Sequence, residues 1–257
     1  MADAELVISK RRRADVRHLL IVGRSGVGKT TLLKRLSQEL RGQAVDGFLT
    51  EEVREDGQRL GFWLSSLDGR QALLAHRQIN SPHRIGPYKV NVSVLDELAV
   101  GILRRATPTA SLIFLDELGR MELCSPAFRQ AVEEVLVRGP RLVATAGVQP
   151  APFLETLKHR RDVELIPLSS ANWSAVLEEL LVRLNALCTD DARLQQAQRQ
   201  ADRICEMIVS GEVSELDIEI QQAAFRELVA KLLPDQQALY PLLFETRFHR
   251  LWQQFHH

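Results

Sequence analysis

Gly23-Arg24-Ser25-Gly26-Val27-Gly28-Lys29-Thr30 is the stretch on which the fold reading turns. It matches the P-loop pattern Gly-x-x-x-x-Gly-Lys-Ser/Thr at every position, and its flanks supply the context that such a match needs. Before it, Arg17–Arg24 (RHLLIVGR) is a short apolar run closed by glycine, as a buried parallel strand is. After it, Thr30–Arg41 sets Leu32, Leu33, Leu36 and Leu40 on one helical stripe, with Gly42 as a stop. Each element has a physical task. Glycines let backbone N–H groups converge on phosphate oxygens, and the helix N-terminus adds a favourable dipole. Lys29 is placed for the β- and γ-phosphates and the Thr30 hydroxyl for Mg²⁺, and Thr31 extends the nucleotide-binding stretch.

Leu112-Ile113-Phe114-Leu115-Asp116-Glu117 is the second chemical element. Four apolar residues form a buried strand whose end delivers two adjacent carboxylates to the sheet edge where ligands bind in α/β folds. Asp116 is the expected metal partner, direct or through water. Glu117 is placed to orient or deprotonate an attacking water. Thr145, ending the next strand (LVATAG), either touches the γ-phosphate or water, or caps the following loop.

Outward from these motifs the pattern alternates. Phe48–Val53 and Leu60–Leu67 alternate in polarity around Asp56-Gly57, with Asp68-Gly69 after them, and read as a β-hairpin. Val92–Arg105 reads as helical. Three strand-then-helix units follow: 112–115 with 126–138, 142–146 with 152–161, and 163–168 with 172–187. The expected fold is therefore α/β: a Rossmann-like, mostly parallel sheet flanked by helices, with an inserted β-hairpin. Beyond it, 190–210, 214–233 and 235–256 carry helical periodicity, punctuated by Gly211 and Pro234, and Ser214 with Asp217 resembles a capping box. The expected organisation is a lead-in over 1–16, a P-loop domain over 17–187 and an all-α extension over 188–257.

Composition supports that division. The chain has 257 residues, 45% hydrophobic and 26% charged, which excludes both disorder and a membrane-embedded protein. Residues 1–185 hold 26 basic against 22 acidic side chains, while 186–257 hold 7 against 11, so a zero total joins two unlike parts. Thirteen of the 14 glycines lie at or before Gly147, which directs the search for a small-molecule site to the first part. The Lys10–Arg13 run reads as a solvated flank rather than a nucleic-acid or lipid contact. Cys124, Cys188 and Cys205 show no metal-ligand spacing and point to a reducing, cytoplasmic setting. The seven histidines, His256 and His257 among them, form no metal-ligand set. Phe244, Phe248, Trp252 and Phe255 make an aromatic stripe, read as core or as a partner or self-association surface.

These residues resemble the THEP-type nucleoside-triphosphatases, the cancer-related nucleoside triphosphatases of animals. The P-loop does not carry the resemblance, being shared by many families. Gly47–Phe62 (GFLTEEVREDGQRLGF), Gly86-Pro87-Tyr88-Lys89-Val90, Leu115–Leu123 (LDELGRMEL) with Ser125, Phe153–Arg160 and Asn172 carry it, over about 17–185. The resemblance implies Mg²⁺-dependent hydrolysis of nucleoside triphosphates to diphosphate and phosphate, with broad base tolerance. It further implies that Gly23–Thr30 bind phosphate and that Leu112, Ile113, Phe114, Leu115, Asp116, Glu117, Leu118 and Gly119 form a second nucleotide-binding stretch. Glu51, Glu52, Arg54, Arg120 and Glu122 fall on signature positions. Arg54 and Arg120 are either an internal arginine finger or ion-pair partners of Glu52 and Glu122. Where the family has Asn-Arg near the nucleobase, this chain has Asn172-Trp173, and Trp173 is either a stacking surface or helix core. The tail after 187 lies outside the resemblance.

Two other functions use the same motifs. One is a kinase, passing phosphoryl to a nucleotide, nucleoside or nucleic-acid hydroxyl. The other is a nucleotide-gated interaction module with the tail as effector.

Overall fold

A computed structural model describes residues 16–106, 110–211, 213–234 and 240–255. The basic run Lys10–Arg13, most of the lead-in and the closing His256–His257 lie outside the described residues. The chain divides into two compact units, the first ending at Leu184 and the second beginning at Asn185.

The first unit is built on a nine-stranded sheet, ordered β5-β6-β4-β3-β2-β7-β8-β1-β9. Its strands are β1 (His18–Val22), β2 (Val45–Glu55), β3 (Gln58–Ser66), β4 (Gln71–His76), β5 (Arg84–Ile85), β6 (Tyr88–Val90), β7 (Leu112–Leu115), β8 (Arg141–Ala146) and β9 (Val163–Pro167). β2, β7, β8, β1 and β9 run parallel. The flank from β2 to β5 is antiparallel. β7 (LIFL) shows why the centre is parallel: all four residues are fully buried, as a strand covered on both faces requires.

The hairpin read from sequence is β2–β3, but the insertion is larger. Asp68–Gly69 does not end it; a further strand, β4, returns along β3, and β6 with β5 extends the flank. The two-residue turn Asp56–Gly57 has φ of 48° and 76°. Both central residues on the positive side make the turn whose twist matches that of antiparallel strands, and Gly57 adopts it without a Cβ penalty.

Helices α1 (Lys29–Glu39), α2 (Val92–Val94), α3 (Val100–Ala106), α4 (Pro126–Arg138) and α5 (Pro152–His159) accompany the sheet. A π-helical turn, Leu95–Ala99, joins α2 and α3 into the helical stretch expected over 92–105. α1 buries Leu32, Leu33 and Leu36, three of the four leucines of the expected stripe, and Leu40 is buried just past its end. Ser125 caps α4 by accepting the Phe128 amide at 2.9 Å.

The expected break between 187 and 190 is absent. α6 runs unbroken from Trp173 to Ser210. Thr189 and Asp190 are weak helix formers but neither removes a backbone donor, and Thr189 returns its hydroxyl to the Asn185 carbonyl at 2.9 Å. The later part of α6, α7 (Glu215–Leu232) and α8 (Thr246–Phe255) surround a second core. Phe225 sits at its centre, with Tyr240, Phe244 and Phe248 at ring distances of 5.7, 5.0 and 5.9 Å. Phe244 and Phe248 of the aromatic stripe are thus core, while Phe255 is 47% exposed. Ser214 and Asp217 form the capping box of α7.

Candidate active site

The P-loop lies between β1 and α1, both anchored in the parallel centre. The Gly23 amide donates to Ala146 at 3.2 Å and the Leu168 amide to Val22 at 2.8 Å, which ties the loop entrance to β8 and to the end of β9. Gly28, with φ 93°, is the N-cap of α1. A Cβ there would lie 2.9 Å from the Trp173 indole nitrogen, so both backbone and space require glycine. No side chain caps α1, and no acid stands in its first turn. Its amides and the positive end of its dipole are therefore open to an anion.

Strand register, together with the first turn of α1, brings three hydroxyls to one carboxylate. Phe48 of β2 pairs with Leu115 of β7, and the Asp116 amide continues the ladder to the Phe48 carbonyl at 3.1 Å. On the other side Leu115 pairs with Ala144 of β8. Asp116 is consequently flanked by Thr50 and Thr145. Thr30 and Thr50 donate to its Oδ2 at 2.6 and 3.1 Å, and Thr145 to its Oδ1 at 2.5 Å. Asp116 is fully buried. Hard oxygen donors gathered on a water-excluded carboxylate suit Mg²⁺, whose ligands are carboxylates, hydroxyls, waters and phosphate oxygens. Thr30 and Asp116 would hold it.

Lys29 is 7% exposed and stretches along the loop, donating to the Gly23 and Arg24 carbonyls at 3.2 and 3.3 Å. Its Nζ also lies 3.3 Å from Glu117 Oε2. Glu122, the third acid, is 4% exposed and accepts the Gly119 amide at 3.1 Å. Burial, aided by the charges of Glu117 and Asp116, pushes its carboxyl up to about 8. Burial thus favours the neutral form of Glu122.

A cavity of about 1210 Å³ opens over these groups. Arg24, Ser25, Gly26, Gly28, Lys29, Thr30 and Thr31 line it, as do Glu117, Leu118, Gly119 and Arg120. Leu112, Ile113, Phe114 and Leu115 lie within the sheet and position Asp116 from below. Gly23 and Val27 shape the loop from its inner side, where a Gly23 Cβ would meet Val27 Cγ1 at 2.8 Å. Thr145 is fully buried on Asp116 and does not line the cavity.

The remaining sequence candidates occupy other places. Arg54 binds the Glu52 carboxylate at 2.7 and 2.6 Å and the Gly57 carbonyl at 3.2 Å, bracing the hairpin tip outside the cavity. Arg120 is exposed, lines the cavity, and has no ion pair among the described residues. Asn172 closes the turn before α6, accepting from Ser169 at 2.8 Å and donating to the Pro167 carbonyl at 2.9 Å. Trp173 donates its indole N–H to the Gly28 carbonyl at 3.1 Å, which commits its edge to the loop backbone. Cys124 donates to the Arg120 carbonyl at 3.2 Å, and burial pushes its thiol up.

Sequence reasoning missed Thr50 and the far wall of the cavity. That wall holds Arg59, Phe62 and Tyr88. Arg59 donates to Tyr88 Oη at 3.0 Å and to Glu52 at 2.8 Å, and lies 5.3 Å from the Phe62 ring centre. They lie inside the Gly47–Phe62 and Gly86–Val90 stretches that carry the family resemblance, but only the strand order brings them to the P-loop.

Fold and site define a P-loop nucleotide-binding protein with a paired-carboxylate strand end. The family model described as NTPase matches residues 18–181. The nucleoside-triphosphatase THEP1 of Thermotoga sp. (strain RQ2) is 45% identical over 163 residues, covering 63% of this chain and 92% of that protein. The human cancer-related nucleoside-triphosphatase is 34% identical over 180 residues, covering 64% and 95%. Among solved structures, THEP1 from the hyperthermophile Aquifex aeolicus superposes with a TM-score of 0.58 at 32% identity, over 65% of this chain and 98% of that one. The chain belongs to the NTPase family.

Proposed function

We propose that the chain hydrolyses nucleoside triphosphates to diphosphate and phosphate, with Mg²⁺ as cofactor, and that residues 17–187 carry this chemistry while 188–257 form an appended helical domain. The observation that carries the reading is the convergence of Thr30 on Asp116 while the neighbouring Glu117 pairs with Lys29, at 2.6 and 3.3 Å. The amides of Gly26–Thr30 and the Lys29 ammonium hold the triphosphate and receive the charge that develops on it. When bound by Thr30 and Asp116, Mg²⁺ supplies positive charge to the β- and γ-phosphate oxygens. Glu117 accepts a proton from the attacking water, with the Lys29 ammonium 3.3 Å from its Oε2. Buried Thr145 and Thr50 hold Asp116 in one orientation.

The names of the relatives above support hydrolysis as the reaction. No helix among the described residues is long and apolar enough to cross a membrane. The cysteine pattern supports a cytoplasmic setting.

Phosphate release measured across ATP, GTP, CTP and UTP, with Mg²⁺ present and then chelated, tests the reading. Release from several of the triphosphates that stops on chelation is expected. Undiminished release after chelation would contradict it.

A further inference from the structure

The first and last glycines of the P-loop, Gly23 and Gly28, lie against one segment, Leu168–Trp173, which leads from β9 into α6. At the loop entrance a Cβ on Gly23 would meet the Leu168 carbonyl oxygen at 2.8 Å. At the exit a Cβ on Gly28 would meet the Trp173 indole nitrogen at 2.9 Å and Cδ1 at 3.4 Å. The segment is itself tied down. Leu168 donates its amide to the Val22 carbonyl at 2.8 Å, and Asn172 Nδ2 donates to the Pro167 carbonyl at 2.9 Å. Asn172 Oδ1 accepts the Ser169 amide and hydroxyl at 2.8 and 3.0 Å. These bonds seat Trp173 on the last residue of the loop.

The Gly28 carbonyl takes two donors there. The Leu32 amide reaches it at 2.8 Å and opens the ladder of α1, and the Trp173 indole N–H reaches it at 3.1 Å. An indole N–H only donates, and a carbonyl oxygen has two lone pairs, so the pairing is complete on both sides. The Gly28–Lys29 peptide is planar and trans, which points the Lys29 N–H away from the Gly28 C=O. Pinning the carbonyl therefore aims the amide. That amide stands in the first turn of α1, where N–H groups have no intrahelical acceptor and meet an anion. Glycine is required at position 28, with φ 93°, yet it constrains its own backbone least, so an outside anchor has most to contribute at this residue. Once a phosphate oxygen accepts the Lys29 N–H, indole, peptide and phosphate form one chain of hydrogen bonds, each polarising the next.

Building on the triphosphatase reading, we propose that Trp173 is a positioning residue of the P-loop, whose indole N–H holds the Gly28–Lys29 peptide so that the Lys29 amide meets the triphosphate. It acts through the loop backbone and not as a surface for the base. Its contribution is therefore the same for every nucleotide and extends to a triphosphate chain that carries no nucleoside. The amide holds the triphosphate before and during reaction alike, so the effect falls on KM and spares kcat.

The test compares the full chain with two variants, all with Mg²⁺. Trp173→Phe keeps an aromatic ring without an N–H, and Trp173→Gln carries an N–H donor as many bonds from Cα as the indole nitrogen. Trp173→Phe should raise the KM for ATP, and the Kd of a non-hydrolysable ATP analogue, about three- to tenfold, the scale of one hydrogen bond, with kcat within about twofold. Trp173→Gln should lie nearer the parent. In the proton–nitrogen NMR spectrum of the parent, the indole signal that Trp173→Phe removes should move downfield when inorganic tripolyphosphate saturates the loop. A signal that does not move with tripolyphosphate bound overturns the inference, and one that moves with the ATP analogue alone assigns Trp173 to the base. A Trp173→Phe variant with the parent's KM overturns it as well, as does a Trp173→Gln variant no better than Trp173→Phe, which makes ring packing the cause. Each of these results leaves hydrolysis by the parent standing. A parent that neither binds the analogue nor releases phosphate overturns the triphosphatase reading and this inference with it.

Discussion

Helices α1 and α7 begin in opposite ways. At the start of α7, Ser214 accepts the Asp217 amide and the Asp217 carboxylate accepts the Ser214 amide, both at 3.2 Å, and Glu215 adds a second acid to the first turn. The free amides and the positive dipole end are satisfied by the chain itself. α1 has the same need and leaves it to an outside anion: its cap is Gly28, with no side-chain acceptor and no acid. The two units differ in the same sense. All eight buried polar or charged residues found among the described residues, from His18 to Thr145, lie in the α/β unit, and Asp116, Lys29, Thr145 and Glu122 among them surround the site. The helical unit closes on apolar side chains alone, apart from the hydroxyl of Tyr240 and the thiols of Cys188 and Cys205. Buried polarity is costly unless it is paired or used. Its distribution separates a part of the molecule arranged for chemistry from a part arranged for packing.

That contrast makes predictions that can break it. Phe225→Ala should have the largest effect on stability: it empties the centre of the helical core, at a cost of about 3–5 kcal/mol. Denaturant unfolding should show that loss while phosphate release at 25 °C stays close to the parent's. Release that falls in step with helical stability would join the two units that the burial pattern divides. Lys29→Ala should do the reverse, lowering phosphate release about 10²–10³-fold, the scale of removing one charge-stabilising donor, with little change in the melting temperature.

His18 gives a smaller and pH-dependent effect. Its Nδ1 accepts the Leu142 amide at 3.0 Å while Nε2 faces the Leu136 carbonyl at 3.2 Å, the arrangement of a neutral ring. Burial lowers its pKa to about 4, against the pull of Asp162. The unfolded chain protonates this histidine near pH 6.5, so the unfolded state takes up the proton first. The stability present above pH 6.5 is lost as the pH falls toward 4, by at most ~3 kcal/mol. His18→Gln should flatten that limb in melting curves taken between pH 4 and 7.

Legibility followed the range of the interactions. The P-loop, the β7 carboxylates and the α7 cap were readable because each is built from neighbours in sequence. Gly23–Thr30 needs only a strand before it and a helix after it. Thr50 was out of reach, because its role depends on Phe48 pairing with Leu115 across 67 positions of chain. Arg59, Phe62 and Tyr88 belong to the site only through the order β6-β4-β3-β2-β7, which local alternation does not encode. The tie of Trp173 to the P-loop was out of reach for a related reason. Its helical position was plain, but its indole N–H finds its partner 145 residues back, on Gly28. The expected helices 172–187 and 190–210 are one, α6, because Thr189 and Asp190 between them are only weak helix formers and keep the backbone ladder intact.

The central claim is that this chain uses Glu117 as the proton acceptor for hydrolysis, beside a P-loop that binds the triphosphate independently. Glu117→Gln keeps the shape of the side chain and its place near Lys29 but removes its basicity. The most direct measurement is phosphate release by this variant at saturating ATP and Mg²⁺, with nucleotide affinity measured in parallel. Affinity close to the parent's with release reduced about 10²–10⁴-fold is predicted. Release at the parent's rate, with affinity intact, would contradict it.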